Sequence, residues 1–132
     1  MLKNKKGLSL VELIIVILII AILAITAGAI YGTYTRRAMA TEGKLLLDAI
    51  LTKQRVYFVE WGRFFPVEET DAESRLGIDA RGNRYFRTFD IEVPGDGSFI
   101  ATTWTSEAGG KRMTLELKAF SFGRPELREV TD

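Results

Sequence analysis

The first pattern along the chain is an almost unbroken run of apolar residues from 8 to 30. Within this run the clearly polar side chains are Ser9, Glu12 and Thr26. A helix over these 23 residues would be about 35 Å long, and the hydrocarbon core of a bilayer is about 30 Å thick. The run therefore predicts a membrane-spanning helix.

The charges on either side of the run predict its orientation. Lys3, Lys5 and Lys6 precede it, and the next basic residue is Arg36. Because cytoplasmic flanks carry the excess of Lys and Arg, the N-terminus is expected in the cytoplasm and the bulk of the chain outside. A cleaved secretory signal is the alternative. Its apolar region normally spans about 7–15 residues, so a retained anchor fits this longer run better.

From residue 31 to residue 61 the pattern becomes amphipathic. Apolar residues recur at helical spacing, with others beside them: Met39, Leu46, Ile50 and Tyr57, flanked by Leu45, Ala49 and Val56. Charged residues are expected on the opposite side: Arg36, Arg37, Glu42, Lys44, Lys53 and Arg55. Because no proline precedes Pro66, one helix is predicted from the membrane span to Trp61, and Gly62 is suited to end it in the left-handed conformation.

Alternating patterns in the second half of the chain predict strands. Apolar and polar residues alternate over 88–93, 99–103 and 113–119, and the segments 94–97 and 107–110 supply turns between them. Such alternation is typical of an antiparallel sheet with one apolar face, which the amphipathic half of the helix can cover. The expected fold class is α+β, with one long N-terminal helix packed on a small antiparallel meander.

Two segments lack periodicity. Residues 62–83 contain Pro66, Gly77 and Gly82 together with an acidic cluster, and they predict an irregular connection. Residues 123–132 show no pattern and are expected to be loosely held.

Composition narrows the possible functions. The chain has 18 Lys and Arg against 17 Asp and Glu, a net charge of +1, so bulk charge predicts no nucleic-acid partner. It contains no Cys and no His, which excludes disulfides and thiolate metal sites and removes the commonest general base. Three of the lysines lie in residues 1–7, so loss of that segment would leave a weakly acidic chain.

The segment that joins the basic start to the apolar run carries the most specific signal. Residues 5–12 read KKGLSLVE and are followed by LIIV. This text resembles the processing site of the type IV pilin and type II secretion pseudopilin family. The resemblance implies that a prepilin peptidase removes a short leader by cleaving between Gly7 and Leu8, and that the new N-terminus at Leu8 is methylated. The family most often has Phe at the position of Leu8, and leucine is an accepted variant.

The resemblance also implies a role for Glu12, which would be the fifth residue of the processed chain. In the family this glutamate pairs with the N-terminal amine, its own or that of a neighbour, as subunits enter the filament. A carboxylate at the centre of a membrane helix costs about 2.5–3.5 kcal/mol, and the cost is smaller in the first turn, which favours negative charge. The alternative is a glutamate that is merely solvated at the membrane edge.

The family implies a pilin-like division of the chain: a cleaved leader over 1–7, a transmembrane and filament-core helix over 8–30, and a head domain over 31–132. The implied partners are identical or homologous pilin subunits, the prepilin peptidase, the inner-membrane assembly platform and, before assembly, the membrane. No cofactor is expected. The similarity covers about residues 1–100, but only the first 30 carry a specific motif.

Several alternatives remain open at this stage. A type IV pilus subunit is the first interpretation, and a type II secretion pseudopilin is the second. A monomeric signal-anchored binding domain is a third interpretation, and it would keep residues 1–7. An enzyme is a fourth. It would have to use carboxylate pairs for acid–base catalysis, and the available pairs, Glu68/Glu69 and Asp71/Glu73, lie in an acidic, turn-rich segment.

Three further groups of residues have a functional and a structural interpretation. The major pseudopilins of type II secretion typically bind calcium in a carboxylate-lined loop. The spacing of Asp90, Asp96 and Glu107 fits no ion-binding loop, so turn and solvent-face roles are expected and no metal is predicted. An aromatic set is expected in the core where the helix end meets the sheet, rather than in an intersubunit stack: Tyr57, Phe58, Trp61, Phe64 and Phe65. A solvated face rather than a DNA contact is expected for three basic residues: Arg81, Arg84 and Arg87.

Overall fold

A computed structural model describes residues 7–67, 76–105 and 112–130. It contains one long helix and a four-stranded antiparallel sheet, an α+β arrangement of the pilin-like kind. The elements are α1 (Leu10–Trp61), β1 (Thr88–Glu92), β2 (Ser98–Trp104), β3 (Thr114–Phe120) and β4 (Glu126–Val130). The strands lie side by side in chain order. By its internal contacts the chain divides into the units Met1–Arg37 and Ala38–Asp132.

Both ends of α1 follow from local sequence. The Leu13 N–H donates to the Ser9 carbonyl at 3.1 Å, so Ser9 stands at the N-cap position, where serine is among the favoured residues. At the other end the Gly62 N–H donates to the Phe58 carbonyl at 2.8 Å, and Gly62 has a φ of +69°. The prediction that Gly62 ends the helix in the left-handed region is confirmed.

The sheet confirms the alternation that the sequence predicted. In the register of β1 with β2, Phe89 lies opposite Thr103 and Ile91 opposite Ala101; in that of β2 with β3, Ala101 lies opposite Leu117. All five side chains are buried, so they form the apolar face of the sheet. The predicted turn at 94–97 joins β1 to β2, whereas the one predicted at 107–110 lies outside the described residues.

The expectation of a loosely held tail over 123–132 was wrong for residues 126–130. Residues Glu126–Val130 form β4, in which Arg128 lies opposite Glu116 and Leu127 opposite Leu117. The Arg128 guanidinium also contacts the Glu116 carboxylate at 2.5 Å. β4 is an edge strand, and nearly all of its side chains are exposed. Because neither face of the strand is buried, its sequence shows no alternation of apolar and polar residues.

The buried face of α1 differs in part from the predicted one. The buried helix residues are Gly43, Leu46, Leu47, Ile50, Leu51 and Gln54. Leu46 and Ile50 were predicted correctly, but Leu45, Ala49 and Val56 are exposed. The helix approaches the sheet along the side of Gly43, where the missing side chain permits the closest contact, and this turns the flanking apolar residues outward.

The connection after the helix is irregular over the described residues 62–67 and 76–83, as predicted, with one exception. Val67 exchanges two backbone hydrogen bonds with Ile91, at 3.0 and 2.9 Å, and so adds an isolated bridge at the β1 edge of the sheet. The acidic cluster of residues 68–73 lies outside the described residues, and so do Lys3, Lys5 and Lys6.

Candidate membrane anchor and assembly site

In the unit Met1–Arg37 every described residue from 8 to 30 is exposed. The exposed fraction of its large apolar side chains runs from 43% at Val16 to 77% at Ile25. A patch of this size is not stable against water, so lipid or other protein has to cover it. Within the described part of the chain, α1 is the one helix long and apolar enough to cross a membrane.

The structure places the three predicted site residues at the start of this segment. Gly7 and Leu8 precede the helix, are exposed and have no regular secondary structure. Glu12 lies in the first turn of α1, where unpaired backbone N–H groups favour a carboxylate. The Gly7–Leu8 peptide bond thus lies before the N-cap at Ser9 and the Glu12 carboxylate lies after it, and the roles of both stay predictions.

The start of the chain, which includes Gly7, Leu8 and Glu12, matches a known protein family. Residues 2–28 match the family described as the prokaryotic N-terminal methylation motif. The chain carries a prepilin-type signal. This is the signal of type IV pilins and pseudopilins, and it implies processing by prepilin peptidase and assembly with other pilin subunits. No curated protein and no solved structure matches the chain.

The prepilin-type signal supports a type IV pilin or pseudopilin and points to a structural protein rather than an enzyme. It also fits membrane anchoring through the apolar helix before assembly. The match ends at residue 28 and does not extend to the head.

A carboxylate on α1 organises the head. Glu42 Oε1 accepts hydrogen bonds from the backbone N–H groups of Tyr85 at 2.7 Å and Phe86 at 2.9 Å, and Oε2 accepts one from Arg84 at 3.1 Å. We call this arrangement the Glu42 clamp. Burial by itself raises the pKa of Glu42, but the three backbone hydrogen bonds and the Arg84 charge together outweigh it and hold the pKa below its ordinary value.

Gly43, the next residue, explains how the clamp is reached. A Cβ built on Gly43 would lie 2.5 Å from Leu115 Cδ1 and 2.9 Å from two ring atoms of Phe86. Only glycine therefore lets the helix come this close to β3 and to the turn before β1. The prediction that Glu42 lies on the outer side of the helix was wrong. The sequence did hold a sign of the true position, which was the glycine at 43 in the middle of the helix. Glycine costs about 1 kcal/mol relative to alanine there, so its presence indicates that another part of the chain packs closely against it.

Gln54 holds the connection that follows the helix. Its Nε2 donates to the Phe65 carbonyl at 2.6 Å, and the Phe65 N–H donates to its Oε1 at 2.9 Å. Gln54 is fully buried, so both ends of its amide are matched where water is excluded. Sequence reasoning missed this residue, because a single glutamine at a helical core position gives no separate signal.

Most of the aromatic set belongs to the core, as predicted. Phe64 is buried and packs against Phe58 and Phe99, with ring centroids 4.8 and 4.9 Å apart. Phe58 and Phe65 are partly buried against the same cluster. For Trp61 the prediction was wrong, since its side chain is 65% exposed. Trp61 is the last residue of α1 and stacks on the ring of Tyr57.

The carboxylates considered for calcium have local partners. Asp96 Oδ1 accepts from the Ser98 hydroxyl and from its N–H at 3.0 Å, and Oδ2 faces Lys118 Nζ at 3.3 Å. The Ser98 hydroxyl, followed by its N–H, lowers the pKa of Asp96. Asp90 Oδ1 accepts from the Ile91 N–H. Glu107 lies outside the described residues, and the described ones contain no group of three or more metal ligands.

The three basic residues considered for DNA are exposed and make local contacts. Arg81 lies 3.9 Å from the Asp79 carboxylate, the Arg84 guanidinium lies 5.3 Å from the centre of the Tyr85 ring, and Arg87 donates to the Asn83 carbonyl at 3.0 Å. These contacts agree with the expected solvated face.

Proposed function

We propose that this chain is a structural subunit of a type IV pilus-like filament. Prepilin peptidase cleaves between Gly7 and Leu8, Leu8 receives the methyl group, and the subunit waits in the cytoplasmic membrane with its head outside. An assembly platform then moves it into a helical filament, in which the apolar helices form the core and the heads form the surface.

One observation carries the proposal: a prepilin-type signal leads directly into the first part of α1, where the apolar side chains up to residue 30 are all exposed. In the membrane, lipid covers these side chains; in a filament, neighbouring helices do. The hydrophobic effect changes little in this exchange, so close packing and the pairing of Glu12 with an N-terminal amine have to supply the driving force. Cleavage matters because it creates that amine.

The head supports the same function in a different way. It has its own core and its own contacts to α1, including the Glu42 clamp and the Gln54 pair, so it does not depend on lipid for its fold. A folded domain attached to an apolar helix is what a filament with a helical core and a protein surface requires.

The first experiment is intact mass and N-terminal sequencing of the protein from membranes and from material sheared off the cell surface. A chain beginning at methylated Leu8 in the sheared fraction supports a pilus subunit. A chain beginning at methylated Leu8 but retained in the envelope supports a pseudopilin. A chain that keeps residues 1–7 and stays in the membrane refutes both.

A second experiment tests Glu12. Glu12→Gln keeps the shape of the side chain and removes its charge, and we expect a folded, processed, membrane-bound protein that is depleted from sheared filaments. Glu92→Gln, at an exposed position of β1, is the matched control and should leave filament yield unchanged. Normal filament yield from Glu12→Gln would contradict the proposed role.

A further inference from the structure

The sheet leaves one face of α1 uncovered within the unit Ala38–Asp132. The exposed residues along this face, which we call the outer seam, are Leu45, Ala49, Thr52, Val56 and Val59. The exposed fractions are 65% for Leu45, 51% for Val56 and 80% for Val59. Four of the five seam side chains are apolar, and a row of exposed apolar side chains along one face of a helix is a candidate contact surface.

The outer seam has the spacing of a coiled coil. Successive members are four, three, four and three residues apart, which assigns Ala49 and Val56 to heptad position a and the other three to position d. The sheet-facing residues Leu47, Ile50 and Leu51 occupy positions f, b and c of the same count, on the other side of the helix. The helix therefore has two apolar faces, and the sheet accounts for one.

The charges that flank the seam identify the partner as a second copy of this chain. Asp48 and Arg55 occupy the g positions, and Lys53 and Glu60 occupy the e positions. In a parallel, in-register pair each g residue faces the e residue five positions further along the other helix. Asp48 would then face Lys53 of the partner subunit, and Arg55 would face Glu60 of the partner subunit, so both pairs join opposite charges.

The two pairs are not equally free to form. Asp48, Lys53 and Glu60 are exposed, whereas Arg55 is half-buried and donates through Nη2 to the Gly123 carbonyl at 2.6 Å. The contact between Asp48 and Lys53 of the partner subunit is therefore the cleaner test of the arrangement.

We propose that two copies of this chain pair side by side in the membrane through the outer seam, parallel and in register. The inference rests on the membrane anchoring in the proposed function, because copies inserted in one orientation meet with their helices parallel. It does not rest on polymerisation.

The seam spans only about two heptads and includes alanine and threonine, so the pairing is weak. Anchoring in one membrane compensates, since it confines the two heads to a thin layer and raises their effective concentration. A weak pair separates easily, which suits a subunit that is later handed to a filament.

Cysteine cross-linking in membranes tests the pairing, because the natural chain has no cysteine. Val56→Cys is placed in the full chain and expressed in membranes without the assembly machinery. Mild oxidation should give a disulfide-linked dimer, since equivalent a positions lie close together across a parallel pair. Lys44→Cys, exposed on the same helix but at position c, is the matched control and should give little dimer. Equal yields from the two variants would overturn the proposal.

Charge exchange tests the register. In the Val56→Cys chain, Asp48→Lys places like charges opposite each other, and we expect a loss of dimer yield. Adding Lys53→Asp should restore it, which a merely structural effect of Asp48→Lys would not do. If the dimer yield stays the same after Asp48→Lys and after the added Lys53→Asp, the in-register pair is refuted.

Processing and filament yield, measured in cells that hold the full machinery, report on the proposed function separately. Normal filaments without cross-linking at residue 56 refute only the pairing. Cross-linked dimers that still carry residues 1–7 refute only the filament function.

Discussion

Replacing Glu42 with alanine removes the acceptor of three backbone N–H groups at once. Phe86 is fully buried, Tyr85 is half-buried and Arg84 is exposed, so water can replace the lost bond at Arg84 but not at Phe86. A hydrogen bond to a charged group contributes about 1.5–3 kcal/mol. With the Phe86 bond at full value, the Tyr85 bond at half and the Arg84 bond at zero, the free energy of unfolding should fall by about 2–4.5 kcal/mol.

The change is large enough to measure on the full chain in detergent. For a domain of this size each kcal/mol shifts Tm by roughly 4–8 °C, so Glu42→Ala should lower Tm by about 10 °C or more. Near-UV circular dichroism follows the head, because Trp104 is part of β2. Glu42→Gln keeps one acceptor oxygen and should fall in between. If Glu42→Ala unfolds at the same temperature as the exposed control Glu92→Ala, the clamp does not stabilise the head.

The pH dependence of stability gives an independent check of the clamp. The pKa of Glu42 is lowered in the folded head, so its contribution is fully present above the ordinary value of 4.5 and is lost as pH falls through the lower folded pKa. The natural chain should therefore lose stability below about pH 4.5 more steeply than Glu42→Gln does. Parallel stability curves for the two proteins across this range would contradict the assigned cause.

Three further changes test the packing of the head. Gly43→Val drives a branched side chain into buried neighbours, and we expect a loss of about 3 kcal/mol or more in denaturant unfolding, against little change for the exposed control Lys44→Val. Gln54→Leu leaves both backbone groups of Phe65 without their partner and should cost about 2–3 kcal/mol by the same measurement; an unchanged midpoint would contradict the pairing. Arg128→Ala removes an ion pair from a 72% exposed side chain, so it should change stability by less than about 1 kcal/mol, and a larger loss would mean that β4 depends on that pair.

The sequence was sufficient to predict a helix or strand where its periodic pattern had one interpretation. The apolar run, the stop at Gly62 and the alternation of β1 to β3 all predicted the observed elements. It was insufficient on the face of α1, because Leu46 and Ile50 lie on one apolar face and Leu45 and Val56 on the other. A single helix pattern cannot tell which of two apolar faces the sheet covers. The edge strand β4 escaped prediction because its stability comes from backbone pairing with β3, which leaves no apolar pattern.

Among the candidate functional residues, too, some were indicated by a local sequence pattern and others were not. The predictions for Gly7, Leu8 and Glu12 rest on a contiguous motif, which lies within the match over residues 2–28. The Glu42 clamp was not predictable, because its partners are backbone N–H groups more than 40 residues away, and backbone groups have no side-chain signature. Gly43 was the only local sign that another part of the chain comes close.

The Glu42 clamp also determines how the head responds to mechanical load. Three hydrogen bonds converge on one carboxylate, so a pull that separates α1 from the turn at 84–86 stresses them together instead of one after another. Bonds loaded in parallel resist until they rupture in a single event. In a single-molecule pulling experiment on the full chain, the turn should therefore release in one abrupt step, and Glu42→Ala should turn that step into a gradual extension at lower force.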